Sequence, residues 1–145
     1  MKIYLATDHA GFELKEKIKQ FLSVASYDVI DCGATELNKD DDYPDFVVKA
    51  ATAVSRDPEG SRAIVLGGSG QGEAMVSNRQ ANVRAAVYYG GSLDIVKLSR
   101  QHNDVNVLAL GARFVTEREA LTAVETWLTT PFSAEERHIR RIKKF

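Results

Sequence analysis

Three features of the 145-residue sequence predict an α/β fold, a three-layer α/β/α sandwich built on a five-stranded parallel sheet. Short apolar runs of strand length alternate with longer segments of helical periodicity over the whole chain. The run Ala63-Ile64-Val65-Leu66 is apolar at every position, as a strand covered on both faces requires. Polar clusters follow the first, third and fifth apolar runs, at the strand ends where open parallel sheets bind ligands.

The elements follow in order. Ile3 to Ala6 reads as the first strand, stopping at Thr7-Asp8-His9-Ala10-Gly11. Phe12, Leu14, Ile18, Phe21 and Leu22 then recur at helical spacing between lysines and glutamates. Tyr27 to Asp31 is a second strand, and Cys32 to Tyr43 a polar loop with the acidic run Asp40-Asp41-Asp42. Pro44 marks a helix start, and the helix covers Asp45 to about Ser55. After the 63–66 strand come a glycine loop and another helix. Val83 to Tyr88 is a strand, Ser92 to Gln101 a helix, Val105 to Leu110 a strand and Thr116 to Leu128 a helix. Right-handed crossovers place helices on both faces. Residues 1–145 are expected to form one domain, with a basic helix or tail over 133–145.

Composition narrows the function. Lys+Arg 19 against Asp+Glu 20 leaves a net charge of -1, so nothing draws the whole chain to nucleic acid or to a membrane surface. The single cysteine, Cys32, excludes an internal disulfide and a cysteine metal cluster. No stretch approaches a membrane span, and Met1-Lys2-Ile3-Tyr4-Leu5 lacks a signal-peptide shape, so a cytoplasmic location is expected. No metal ligand set stands out.

The strongest local signal is Gly67-Gly68-Ser69-Gly70-Gln71-Gly72-Glu73. Glycines there let the backbone approach a ligand and aim N–H groups at an anion or a developing oxyanion. A plain tight turn is the bland reading. A dinucleotide site is disfavoured, because that fingerprint belongs in the first strand-turn-helix unit, and the lysine of a triphosphate loop is absent. Glu73, on the first turn of the next helix, is either a base for a proton beside a carbonyl or a glutamate that satisfies the helix dipole. His102, at a helix end in Gln101-His102-Asn103-Asp104, is either an acid–base group or a partner of free carbonyls. His9 beside Asp8 carries the same ambiguity. Arg137 and Arg141 share a helix face and could grip a phosphate, or form a solvated basic end.

Taken together and in order, these clusters resemble the type B ribose-5-phosphate isomerases and the related galactose-6-phosphate isomerase subunits. The resemblance runs from Met1 to about Lys143. It is carried by Asp8-His9-Ala10-Gly11-Phe12-Glu13-Leu14-Lys15, Asp42-Tyr43-Pro44-Asp45-Phe46, the Gly67–Gly72 loop, Asn78-Arg79 and Val83-Arg84-Ala85-Ala86. His102-Asn103-Asp104, Gly111-Ala112-Arg113, Thr130-Pro131-Phe132 and Arg137-His138 complete it. Many members carry a catalytic cysteine where this chain has Gly67. A subgroup lacks it and places a glutamate just past the loop, as Glu73 stands here.

The resemblance implies a Rossmann-like sheet and a cofactor-free interconversion of an aldose phosphate and a ketose phosphate. It implies Glu73 as base, Ser69 as proton relay and His102 as the group that assists ring opening. Asp8 and His9 would contact the sugar and its phosphate, and Tyr43 and Asn103 the sugar, with Gly68, Gly70 and Gly72 lining it. Arg113, Arg137 and Arg141 would hold the phosphate. Members are dimers or tetramers whose sites join residues of two subunits. The sugar's carbon number stays open among four, five and six. Gly67, in place of cysteine, is expected to free volume beside the reacting carbons. A non-catalytic sugar-phosphate binder on the same fold is the alternative.

Overall fold

The computed structural model describes residues 1–145. Its strands are β1 (Lys2–Thr7), β2 (Asp28–Asp31), β3 (Ser61–Gly67), β4 (Ala85–Tyr88) and β5 (Val107–Gly111). Its helices are α1 (Phe12–Val24), α2 (Pro44–Arg56), α3 (Gln71–Ser77), α4 (Asp94–Asn103), α5 (Glu117–Thr129) and α6 (Glu136–Ile142). A single 3-10 turn, His9–Gly11, joins β1 to α1. The five strands are all parallel, in the order β2-β1-β3-β5-β4. The predicted α/β sandwich is therefore the observed one.

Strand alternation sorts side chains by size between the two faces. Ile3, Leu5, Ile64, Leu66, Leu108 and Leu110 join α1, α4 and α5 in one core, with Trp127 fully buried among them. Ala6, Ala63, Val65, Val107 and Ala109 line the other face, and their small side chains admit α2 and α3 closely. No helix is long and apolar enough to cross a membrane.

Element boundaries moved where side chains compete with the ladder. Pro44 occupies the first turn of α2, as its missing N–H favours. Thr116 caps α5 rather than joining it, in a reciprocal capping box with Glu119. Val83 and Val105 fall outside their strands. Between those two connections the buried Asn106 accepts from the Arg84 N–H at 2.8 Å and donates to the Asn82 carbonyl at 2.9 Å.

Lys15 ties the sheet to the loop after β2. It is fully buried, and its Nζ donates to both Asp31 oxygens at 2.8 and 2.7 Å and to the Ala34 carbonyl at 2.7 Å. Burial pushes the Asp31 carboxyl up, but hydrogen bonds from Lys15, Lys19 and the Gly33 N–H outweigh it and hold the group below the usual aspartate range. Lys15→Met is expected to destabilise the fold by about 3 kcal/mol, because it strands the Ala34 carbonyl in the interior and removes the buried partner of the Asp31 carboxylate. For a domain of this size that lowers Tm by roughly 6–12 °C, readable by thermal denaturation. A shift under about 2 °C would show that Lys19 alone suffices.

Candidate active site

The glycine loop leaves β3 at Gly67 and enters α3 at Gln71. Gly70 adopts φ 77 and its missing Cβ faces the Leu110–Gly111 backbone at 3.0–3.1 Å, so only glycine suits the turn. Ser69 Oγ accepts the Gln71 N–H at 3.3 Å and is otherwise at the surface. The loop is clamped to β5, where Ala112 N–H donates to the Gly67 carbonyl at 2.8 Å and Arg113 N–H to that of Gly68 at 3.1 Å. The Arg113 guanidinium lies over Gly68, 3.4 Å from the position of an absent Cβ.

Glu73 stands in the first turn of α3, as expected, but it is 3% exposed. Its carboxyl folds back onto Gly67, where any Cβ would overlap Cδ and Oε1. The volume expected to be free beside the reacting carbons is thus filled by the Glu73 carboxyl, and that expectation is corrected. Gly72 in the same way leaves room for the Tyr43 ring. Burial pushes the Glu73 carboxyl above the ordinary glutamate range, its own backbone N–H partly opposes this, and the nearby Asp8 charge adds to the rise. Desolvation therefore outweighs the helix N-terminus at this residue.

Asp8 and His9 follow β1, on the same carboxyl edge as Gly67 and Gly111. Asp8 is buried and accepts the Ala10 N–H at 2.9 Å. His9 is held by Asp41, whose Oδ1 lies 2.9 Å from the His9 backbone N–H and 2.7 Å from its Nδ1. This contact was missed in the sequence. An acidic run was visible, but nothing local distinguishes Asp41 from Asp40 and Asp42, which stay exposed. One ligand atom from each of Asp8, His9 and Asp41 falls within 4.8 Å of the others. A metal there would have to displace the Nδ1–H···Oδ1 hydrogen bond.

The remaining predicted residues lie elsewhere. His102 and Asn103 end α4, immediately before the amino end of β5. From Val107 to Gly111 the strand climbs about 13 Å, so one chain holds them at the opposite edge from Glu73. His102 stacks on the buried His138 of α6 at 4.2 Å between ring centroids. Burial and the neighbouring His102 push His138 below the usual histidine range. Arg137 and Arg141 project from the same helix, exposed, with Arg137 paired to Glu135 at 2.9 Å. The structure thus gathers Asp8, His9, Tyr43, Ser69, Glu73 and Arg113 on one edge and His102, Asn103, Arg137 and Arg141 on the other. A cavity of about 560 Å³ is also at the amino edge, among Arg62, Arg84, Arg100 and Asp104. Asp104 bridges Arg84 and Arg100 there at 2.8 Å each.

Known proteins share this fold. The ribose-5-phosphate isomerase B of Mycobacterium leprae is 44% identical over 142 residues, covering 98% of this chain and 86% of its own. The solved ribose-5-phosphate isomerase B of Mycoplasma genitalium, with bound ribulose-5-phosphate, superposes with a TM-score of 0.94 at 36% identity, covering 99% of this chain and 92% of its own. That of Clostridium thermocellum gives 0.92 at 42% identity, covering 99% and 94%. Residues 3–145 match the Ribose/Galactose Isomerase family, and the chain belongs to it.

Proposed function

We propose that this chain interconverts ribose 5-phosphate and ribulose 5-phosphate through an enediolate, with Glu73 as the base. The observation that carries the reading is the Glu73 carboxyl, buried against Gly67 within the field of Asp8 and one helical turn from the loop N–H groups. A carboxyl raised toward neutrality is a better proton acceptor from carbon than a solvated one.

The steps follow from the residues. Arg113 and His9 hold the phosphate with Arg137 and Arg141, which fixes the reacting carbons over the glycine loop. Asp8, Tyr43 and Asn103 orient the sugar hydroxyls, and Gly68 leaves the backbone bare beneath them. His102 assists ring opening, since only the open chain has a carbonyl. Glu73 takes the proton from C2, and N–H groups at Gly70 to Gly72 stabilise the enediolate oxygen. Ser69 moves the hydroxyl proton between the two oxygens. Glu73 returns its proton to C1, so the pair of steps is balanced without a metal or organic cofactor. On this reading the chain is of the glutamate-base variety of the family.

The separation of the two half-sites supports a homo-oligomer, a dimer or tetramer. A second copy would bring His102, Asn103, Arg137 and Arg141 against Glu73. Ile95 and Leu98 on α4 and Met75 on α3 are exposed apolar residues suited to such an interface. The filled volume at Gly67 favours a five-carbon substrate over a larger one.

Turnover of the purified, chelator-treated protein on ribose 5-phosphate tests the reading, beside erythrose, allose and galactose phosphates. The expected result is the highest kcat/KM on the ribose compound, unchanged by chelation. Turnover confined to another sugar would move the substrate and keep the chemistry. Silence on all four would reject the isomerase reading.

A further inference from the structure

We propose that Asp41 is a positioning residue for His9, fixing the imidazole with Nδ1–H turned inward and Nε2–H as the only ring donor left for the phosphate end of the substrate. The inference rests on the reading that His9 meets the sugar phosphate, and adds the group that controls it.

The geometry is specific. One oxygen, Asp41 Oδ1, accepts two N–H groups of a single residue, the His9 backbone at 2.9 Å and the ring at 2.7 Å. Two anchors on one residue fix both where the ring starts and where it points. Asp41 is 9% exposed and His9 29%, so the pair is largely withdrawn from solvent while the ring retains an open side. Asp41 Oδ2 is buried with no protein partner. A carboxylate so placed favours a proton on the facing Nδ1, which settles the tautomer and favours the imidazolium.

The loop that carries Asp41 is tied to the fold at both ends. It leaves β2 through Cys32 and Ala34, whose N–H groups bond the Leu5 and Thr7 carbonyls at 2.8 and 2.7 Å. It ends at Tyr43, whose carbonyl accepts the Phe46 and Val47 N–H groups of α2. Within the acidic run only Asp41 turns inward, so the other two cannot replace it.

Charge completes the argument. The site holds the carboxylates of Asp8, Asp41 and Glu73 and must accept a dianion. Left alone, Asp41 would repel it. Paired with a protonated His9, its charge is cancelled and the ring's N–H, rather than the carboxylate, faces the ligand. The Asp41 hydrogen bond raises His9 most, burial opposes it, the charges of Asp8 and Asp41 add to the rise, and Arg113 lowers it. A raised histidine keeps its proton to higher pH, so substrate affinity should persist there and be lost as pH rises through the His9 pKa. Removing the Asp41 charge should move that loss to lower pH.

The test is Asp41→Asn, which keeps the acceptor shape and removes the charge. KM for ribose 5-phosphate is expected to rise about tenfold with kcat within about threefold, as loss of a charge-assisted contact predicts. Carbon and nitrogen NMR of the three histidine rings, with His9→Gln supplying the assignment, should show His9 titrating at lower pH in the variant. In the His9→Gln background Asp41→Asn should add nothing to KM. An unchanged His9 titration, or an equal KM rise in both backgrounds, would overturn the proposal. The titration needs no substrate. A wild-type protein inactive on ribose 5-phosphate would therefore reject the substrate reading, while the ring signals would still decide whether Asp41 governs His9.

Discussion

Glu73→Gln is expected to lower kcat by about 10³-fold with KM for ribose 5-phosphate within a few-fold of the parent, because the amide keeps the shape and loses the proton acceptor. Glu73 is 3% exposed and its carboxyl sits against Gly67, so an isostere should fit without repacking. The pH profile carries the same prediction with a sign. Burial and Asp8 raise the Glu73 carboxyl, so its protonated, inactive form persists to higher pH than a solvated glutamate's. The acid limb of kcat/KM should accordingly lie above the ordinary glutamate range and vanish in the variant. Stopped-assay kinetics from pH 4 to 9 would read both, and an unaltered kcat would remove Glu73 from the reaction. Mixing this variant with His102→Asn, followed by subunit exchange, should restore activity if the site is shared between copies. No recovery despite exchange would show that His102 and Glu73 do not meet across an interface between copies.

Gly67→Ala is expected to cost about 10²-fold in kcat with little change in the fold. The new methyl would overlap Cδ and Oε1 of Glu73, and the end of a side chain yields more easily than backbone. The carboxyl must then swing away from its place at the loop, and a displacement of about 1 Å at a reacting group is worth that factor. Thermal denaturation should show a Tm near the parent's, which separates displacement of the base from unfolding. Full activity in this variant would mean that Glu73 can work from another rotamer. The overlap also gives a physical reason why a side chain at position 67 and a glutamate at position 73 would exclude one another.

The alternating elements, the strand buried on both faces and the carboxyl-edge placement of Asp8, Gly67 and Gly111 were legible from residue order alone. Those features rest on hydrophobic periodicity and on punctuation by glycine and proline, which act between near neighbours in the chain. Pro44 and Thr116 marked their helix starts for the same reason. Other features belong to the tertiary structure. Whether Glu73 is lowered by its helix or raised by burial depends on desolvation, and only packing sets that. The bond from Asp41 to His9 spans 32 residues, and no local rule singles out one of three adjacent aspartates. His102, Arg137 and Arg141 looked like partners of Glu73 until the parallel sheet placed them on opposite edges. A helix that returns to the start of a parallel strand ends at the amino edge, so this topology sets His102 apart from Glu73 within one chain.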